Sequence, residues 1–134
     1  MIRRAASSRR ARRTTFWVYA LAIVTLTHWP GLAVETPFEL RADILVHSAI
    51  FFTWTLLLAG CSYFGAPPHG AGNAGGSTIA AAAYAAIDEL TQGIPGINRS
   101  VDPLDLVANV LGVALAWLAL RLVAARSTSS REGP

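Results

Sequence analysis

The stretch AIDELTQGIPGINRSVDPLDLVANVLG, residues 86–112, decides how this chain is read. Both of its ends run into segments apolar enough for a membrane, yet it carries Asp88, Glu89, Gln92, Arg99, Asp102, Asp105 and Asn109. Ionisable groups at membrane depth are costly, so they face a protein interior or a wet cavity and mark a working site. Four of the protein's eight acids lie here.

Composition supports lipid as the solvent. Hydrophobic residues make up 53% of the 134 and charged residues only 14%, with mean hydropathy +0.43. A soluble domain carries about a quarter charged residues. The net charge of +3 does not point to nucleic acid. Six of the eleven arginines precede the first apolar run and three lie at or beyond the end of the last, with no aromatic residues interleaved for base stacking. The lone Cys61 has no partner for an internal disulfide.

Four membrane spans are expected, at about residues 14–33, 42–64, 77–93 and 103–125, making an all-α bundle. Residues 1–13 and 126–134 are expected to be disordered tails, and 14–125 one membrane domain. Trp17 and Trp29 stand near the ends of the first span as interfacial aromatics. His28 reads as interfacial. Gly31-Leu32-Ala33 is compatible with a cleaved signal, but the apolar run is long for one. Residues 65–76 read as a flexible glycine-rich loop, with Ser77 capping the third helix. The third span is alanine-rich and suits a packed inner helix. Asp102-Pro103 is a strong start signal for the fourth.

Arginines before the first span place the N-terminus in the cytoplasm, and an even number of spans returns the C-terminus there. Asp43 and His47 then open the second span at its outer end, one helical turn apart. Asp88, Glu89 and Gln92 close the third at the same end; Asp105 and Asn109 open the fourth there, on one stripe with Gly112. Arg99 lies in the outer turn. Asp102 reads first as a helix cap. Of the two consecutive acids, Glu89 is expected to face the bundle, pairing with Gln92. Cys61 falls at the opposite end.

Asp88-Glu89-x-x-Gln92 followed by Arg99-x-x-Asp102-x-x-Asp105-x-x-x-Asn109-x-x-Gly112, with Asp43-x-x-x-His47 ahead, resembles the VanZ-like family of small bacterial membrane proteins. The resemblance spans about residues 43–120. Ile44 stands where that family often has a lysine after the aspartate. The resemblance implies a multi-pass protein of the bacterial cytoplasmic membrane with an envelope-directed role, since the name-giving member is associated with low-level teicoplanin resistance.

Three uses of the polar residues are open at this point. They could bind an envelope lipid headgroup, a cell-wall precursor or a glycopeptide, with Arg99 on an anionic group. They could be an intramembrane enzyme, with Glu89, His47 and Asp105 as catalytic candidates. They could be a structural clasp between short helices. A divalent metal on Asp43, His47, Glu89 and Asp105 is conceivable, but the spacings match no metal signature, so neither metal nor cofactor is expected. The bilayer is the expected partner, and a homodimer is compatible with the pattern.

Overall fold

The computed structural model describes residues 2–29, 41–68, 70–97 and 101–129, with side chains described for 8–29, 43–68, 70–97 and 101–126. These residues form four α-helices: α1 (Ile2–Thr27), α2 (Arg41–Gly60), α3 (Ala71–Gln92) and α4 (Pro103–Ser129). The chain runs up, down, up and down. α2 packs most heavily on α4, which also packs on α3; α1 leans on α2 and touches α3 lightly.

The outer surface is apolar and part of the interior is polar. Large aliphatic residues such as Leu21, Leu45, Ile79, Leu90, Val107 and Leu122 are exposed on all four helices. Asn73, Ser77, Asp88, Glu89, Gln92 and Asn109 are buried. The hydrophobic core joins Phe16, Phe51, Trp54, Leu58, Ala81, Ala85 and Val113. Trp54 stacks on Tyr84 with ring centroids 4.8 Å apart. The alanines of α3 admit this close packing. Among the described residues, two helices contain stretches long and apolar enough to cross a membrane, Asp43–Gly60 and Pro103–Arg126. Arginines dilute the first half of α1, and small residues with a polar last turn dilute α3.

Gly112 sets the register of α2 on α4. A Cβ there would collide with the Ser48 carbonyl and lie 3.0 Å from the Phe52 nitrogen. Beside it, the Ser48 hydroxyl donates to the Ala108 carbonyl at 3.0 Å. This close approach carries His47 of α2 onto the first turns of α4.

Several boundaries differ from expectation. Residues 2–13, expected as a disordered tail, are helical and continuous with the apolar part of α1. Arginine and alanine are good helix formers and no glycine or proline interrupts them. Arg12 also fastens this segment, its Nε donating to the Gly60 carbonyl at 2.7 Å at the C-terminus of α2. α2 stops at Gly60 rather than running to residue 64. α1 ends at Thr27 instead of residue 33, and α4 continues to Ser129. The Gly31-Leu32-Ala33 stretch and the connection from α1 to α2 fall outside the described residues, as do 130–134.

The third helix starts at Ala71, and its cap is Gly70, so Ser77 is a buried mid-helix residue and not a cap. Asn73 explains the early start. Its Nδ2 donates to the carbonyls of Ala59 and Pro68, while its Oδ1 accepts from the Phe64 amide. Phe64 lies on Gly76, where a Cβ would come within 2.6 Å of it. The glycines expected to make a loop make room for the α2–α3 turn to fold against the helix.

Candidate functional site

All five acids with described side chains, Asp43, Asp88, Glu89, Asp102 and Asp105, lie where α1 and α3 end and α2 and α4 begin. The described arginine side chains occupy the opposite half, where Arg12 holds Gly60 and Arg13 lies 4.6 Å from the Tyr63 ring centroid. Cys61 is buried at that opposite end, as expected.

The polar end contains two clusters. The first is centred on Asp88, which faces α1. Asp88 Oδ1 is 3.0 Å from the Thr27 hydroxyl and 3.4 Å from the Tyr84 hydroxyl, both donors, and Gln92 Nε2 stands 3.5 Å from Oδ2. His28 Nδ1 is 3.8 Å from Oδ1, and its Nε2 is 2.9 Å from the Thr91 hydroxyl. The Thr27 hydroxyl is also 3.0 Å from the Ile23 carbonyl, so its one proton is shared. This cluster ties α1 to the last turns of α3.

His47 is the centre of the second cluster. Its Nδ1 is 3.1 Å from Asn109 Oδ1, which fixes the ring plane. Its Nε2 is 3.5 Å from both Asp43 Oδ1 and Asp105 Oδ2. Asp43 is largely exposed, whereas His47 and Asp105 are mostly covered, so the cluster opens outward past Asp43. Glu89 is 1% exposed and has Asp105 and His47 among its charged neighbours. Its Oε1 accepts the Asp102 backbone N–H at 2.6 Å, joining the end of α3 to the start of α4. Among the described residues, Glu89 Oε2 and Asn109 Nδ2 are buried without a hydrogen-bond partner.

Asp102 itself caps α4, its Oδ1 accepting from the Leu104 amide at 2.8 Å. Asp43, His47, Glu89, Asp105 and Asn109 therefore come together, and Asp88 and Gln92 stand apart with α1. Both consecutive acids are buried, so the choice of Glu89 alone is corrected. Gln92 reaches Asp88 instead of Glu89. Arg99 falls outside the described residues. Sequence reasoning passed over Thr27 and took His28 only as interfacial; the two sit one after the other at the polar end of the first apolar run.

Chemically, the second cluster offers one imidazole and two carboxylates whose ligand atoms all lie within 4.8 Å of one another, a set that could hold a metal ion. Among the described residues, Glu89 Oε2 and Asn109 Nδ2 have no partner of their own to compete with a ligand. A separate apolar groove of about 530 Å³ is lined by Phe16, Ala20, Val24, Trp54, Ala80 and Tyr84. The chain matches no family model, no curated protein and no solved structure.

Proposed function

We propose that this chain is a four-span protein of a bacterial cytoplasmic membrane, of the VanZ-like kind. Both termini are cytoplasmic, and the polar end faces outward to bind an envelope ligand. Its role is then envelope protection, including tolerance of teicoplanin-type glycopeptides. The observation that carries the proposal is the segregation of charge. Among the residues with described side chains, acids gather at one end of an apolar-surfaced bundle and arginines at the other, although Arg41 opens α2 at the acid end. Arginine-rich ends stay on the cytoplasmic side of a membrane. Exposed aliphatic residues on α1 and α3 also suit lipid, although neither helix is apolar along its whole length.

Two features favour a ligand site over a structural clasp. A clasp satisfies its polar atoms, because an unpaired buried group costs about 1–3 kcal/mol. The Asp88 cluster fits that description. The His47 cluster does not, since Glu89 Oε2 and Asn109 Nδ2 lack partners among the described residues. A lipid headgroup or cell-wall precursor, entering past exposed Asp43, supplies the missing bonds.

The same Glu89 supports a second reading, an intramembrane enzyme acting on an envelope lipid or precursor. A buried carboxylate with one oxygen free, beside His47 and Asp105, is placed to move a proton.

The deciding experiment expresses wild type, Glu89→Gln and His47→Ala at matched membrane levels in a teicoplanin-sensitive bacterium. Protection by wild type and its loss in either variant supports the proposal. Susceptibility equal to empty vector in all three strains sinks the protective role.

A further inference from the structure

We propose that Asp43, His47 and Asp105 bind one divalent transition-metal ion, such as Zn²⁺ or Mn²⁺. The proposal rests on reading this end as a ligand site, but not on the envelope role assigned to it.

The argument begins with the imidazole. Nδ1 faces Asn109 Oδ1 at 3.1 Å, and a carbonyl oxygen only accepts, so the ring proton belongs on Nδ1 if the amide stands as placed. In the neutral ring this leaves the Nε2 lone pair aimed between two carboxylates, at 3.5 Å from Asp43 Oδ1 and 3.5 Å from Asp105 Oδ2. Three such atoms converging on one point are held together either by a proton on Nε2, which makes the ring a cation, or by a metal ion among them.

The spacing suits a metal better than a hydrogen-bonded trio. Contacts of 3.5 Å are long for charge-assisted hydrogen bonds, which run about 2.7–2.9 Å. Donor atoms on a tetrahedral ion with bonds of about 2.0–2.1 Å stand about 3.4 Å apart. The donor types, one imidazole and two carboxylates, suit zinc or manganese.

The surroundings provide a second, independent observation. Asn109 is fully buried, aims its carbonyl oxygen at the far nitrogen of the histidine, and leaves its Nδ2 without a partner among the described residues. Metal-binding histidines almost always donate their other ring N–H to such an oxygen, which fixes both tautomer and ring orientation. Glu89 Oε2, buried and without a partner among the described residues, has both His47 and Asp105 as charged neighbours. It stands ready to bond a metal-held water or ligand. Three protein ligands leave a coordination position, as catalytic zinc sites do. That position opens past exposed Asp43, where an anionic oxygen of a phosphate or carboxylate would bind.

The test uses full-length protein without a histidine tag, purified in detergent, stripped with chelator and equilibrated with Zn²⁺ or Mn²⁺. Bound ion is counted by elemental analysis after gel filtration, and affinity is measured by calorimetry. Wild type and Cys61→Ser, which removes the one thiol, are expected to retain about one ion per chain. Asp43→Asn and His47→Gln are expected to weaken binding by at least about tenfold. Asp43 is exposed, so its replacement leaves folding intact even if His47→Gln does not. Failure of wild type to retain a stoichiometric ion, or equal binding by Asp43→Asn, overturns the proposal. Metal retention without teicoplanin protection leaves the site standing and removes only its envelope role; protection without metal retention does the reverse.

Discussion

Asp88 and Glu89 are consecutive on α3, each 1% exposed, yet their carboxylates serve different neighbours. Asp88 takes the Thr27 hydroxyl of α1, and Glu89 takes the Asp102 amide at the head of α4. One residue along a helix turns a side chain by about 100°, from 3.6 residues per turn, so adjacent acids on an inner helix can reach two partners. α3 thereby adds a polar tie to α1, which otherwise packs mainly on α2.

The Asp88 arm is expected to be structural. Thr27→Val keeps the shape of the side chain and removes its hydroxyl from Asp88. With Tyr84 and Gln92 still near the carboxylate, the loss should be about 1 kcal/mol. Thermal melts of the purified protein should show a lower midpoint, while metal retention and teicoplanin response stay at wild-type levels. A loss of metal retention in this variant would show that the two clusters are coupled, against the division drawn here.

The Glu89 arm should separate folding from function. Glu89→Gln preserves a carbonyl oxygen to accept the Asp102 amide, so the protein should melt close to wild type. Glu89→Ala strands that buried N–H and should lose about 1–3 kcal/mol. If Glu89 serves a ligand, both variants lose teicoplanin protection and only the alanine variant loses stability. Full protection by a well-folded Glu89→Gln protein would assign Glu89 to the clasp.

The placement of these arms shows how far the sequence could be read. Helix number followed from four apolar runs, and the gathering of acids at one end followed from the order of those runs. The same reasoning extends to Thr27 and His28, which close the first run at that end; treating His28 as an interfacial residue hid its contact with Thr91. The division between Asp88 and Glu89 depends on the rotation of α3, whose large apolar residues Ile79, Ile87 and Leu90 are exposed while small and polar residues are buried, so the usual apolar-inward reading of a helix points the wrong way. The candidate metal ligands Asp43, His47 and Asp105 are named from the sequence together with Glu89, but no metal is expected there, because Asp43 and His47 come from α2 and Asp105 from α4 and their spacing forms no local metal signature. The start of α3 was obscured because glycines beside Phe64 look like a loop until Asn73 supplies the tertiary bonds.

Orientation can be read by labelling. Cys61 is buried, so an impermeant maleimide should leave it untouched in intact cells. In a Cys61→Ser background, Ile94→Cys should label from outside, because Ile94 is exposed in the turn between α3 and α4. Ala71→Cys, exposed at the opposite end of α3, should label only after the membrane is permeabilised. The reverse pattern would put the polar end in the cytoplasm, and labelling of both from outside would exclude α3 as a span.

Gly112 is the position where fold and site are most tightly joined. Its missing side chain lets α4 lie against the Ser48 carbonyl and the Phe52 amide of α2. Neither obstacle is the end of a flexible side chain, so a methyl group there must separate the helices. Forcing an extra carbon into such packing costs about 1–3 kcal/mol. The separation also acts one turn away, where Ser48 meets Ala108 and His47 meets Asn109. Gly112→Ala should therefore lower the melting midpoint and weaken metal binding together, although residue 112 touches neither ligand nor ion. Val113→Ala provides the contrast. It removes buried apolar volume next to Gly112 without pushing α2 away, and it should lower stability while keeping metal affinity near wild type. Equal metal affinity in Gly112→Ala and wild type would mean that the His47 cluster tolerates a change in helix separation, and that Gly112 serves packing alone.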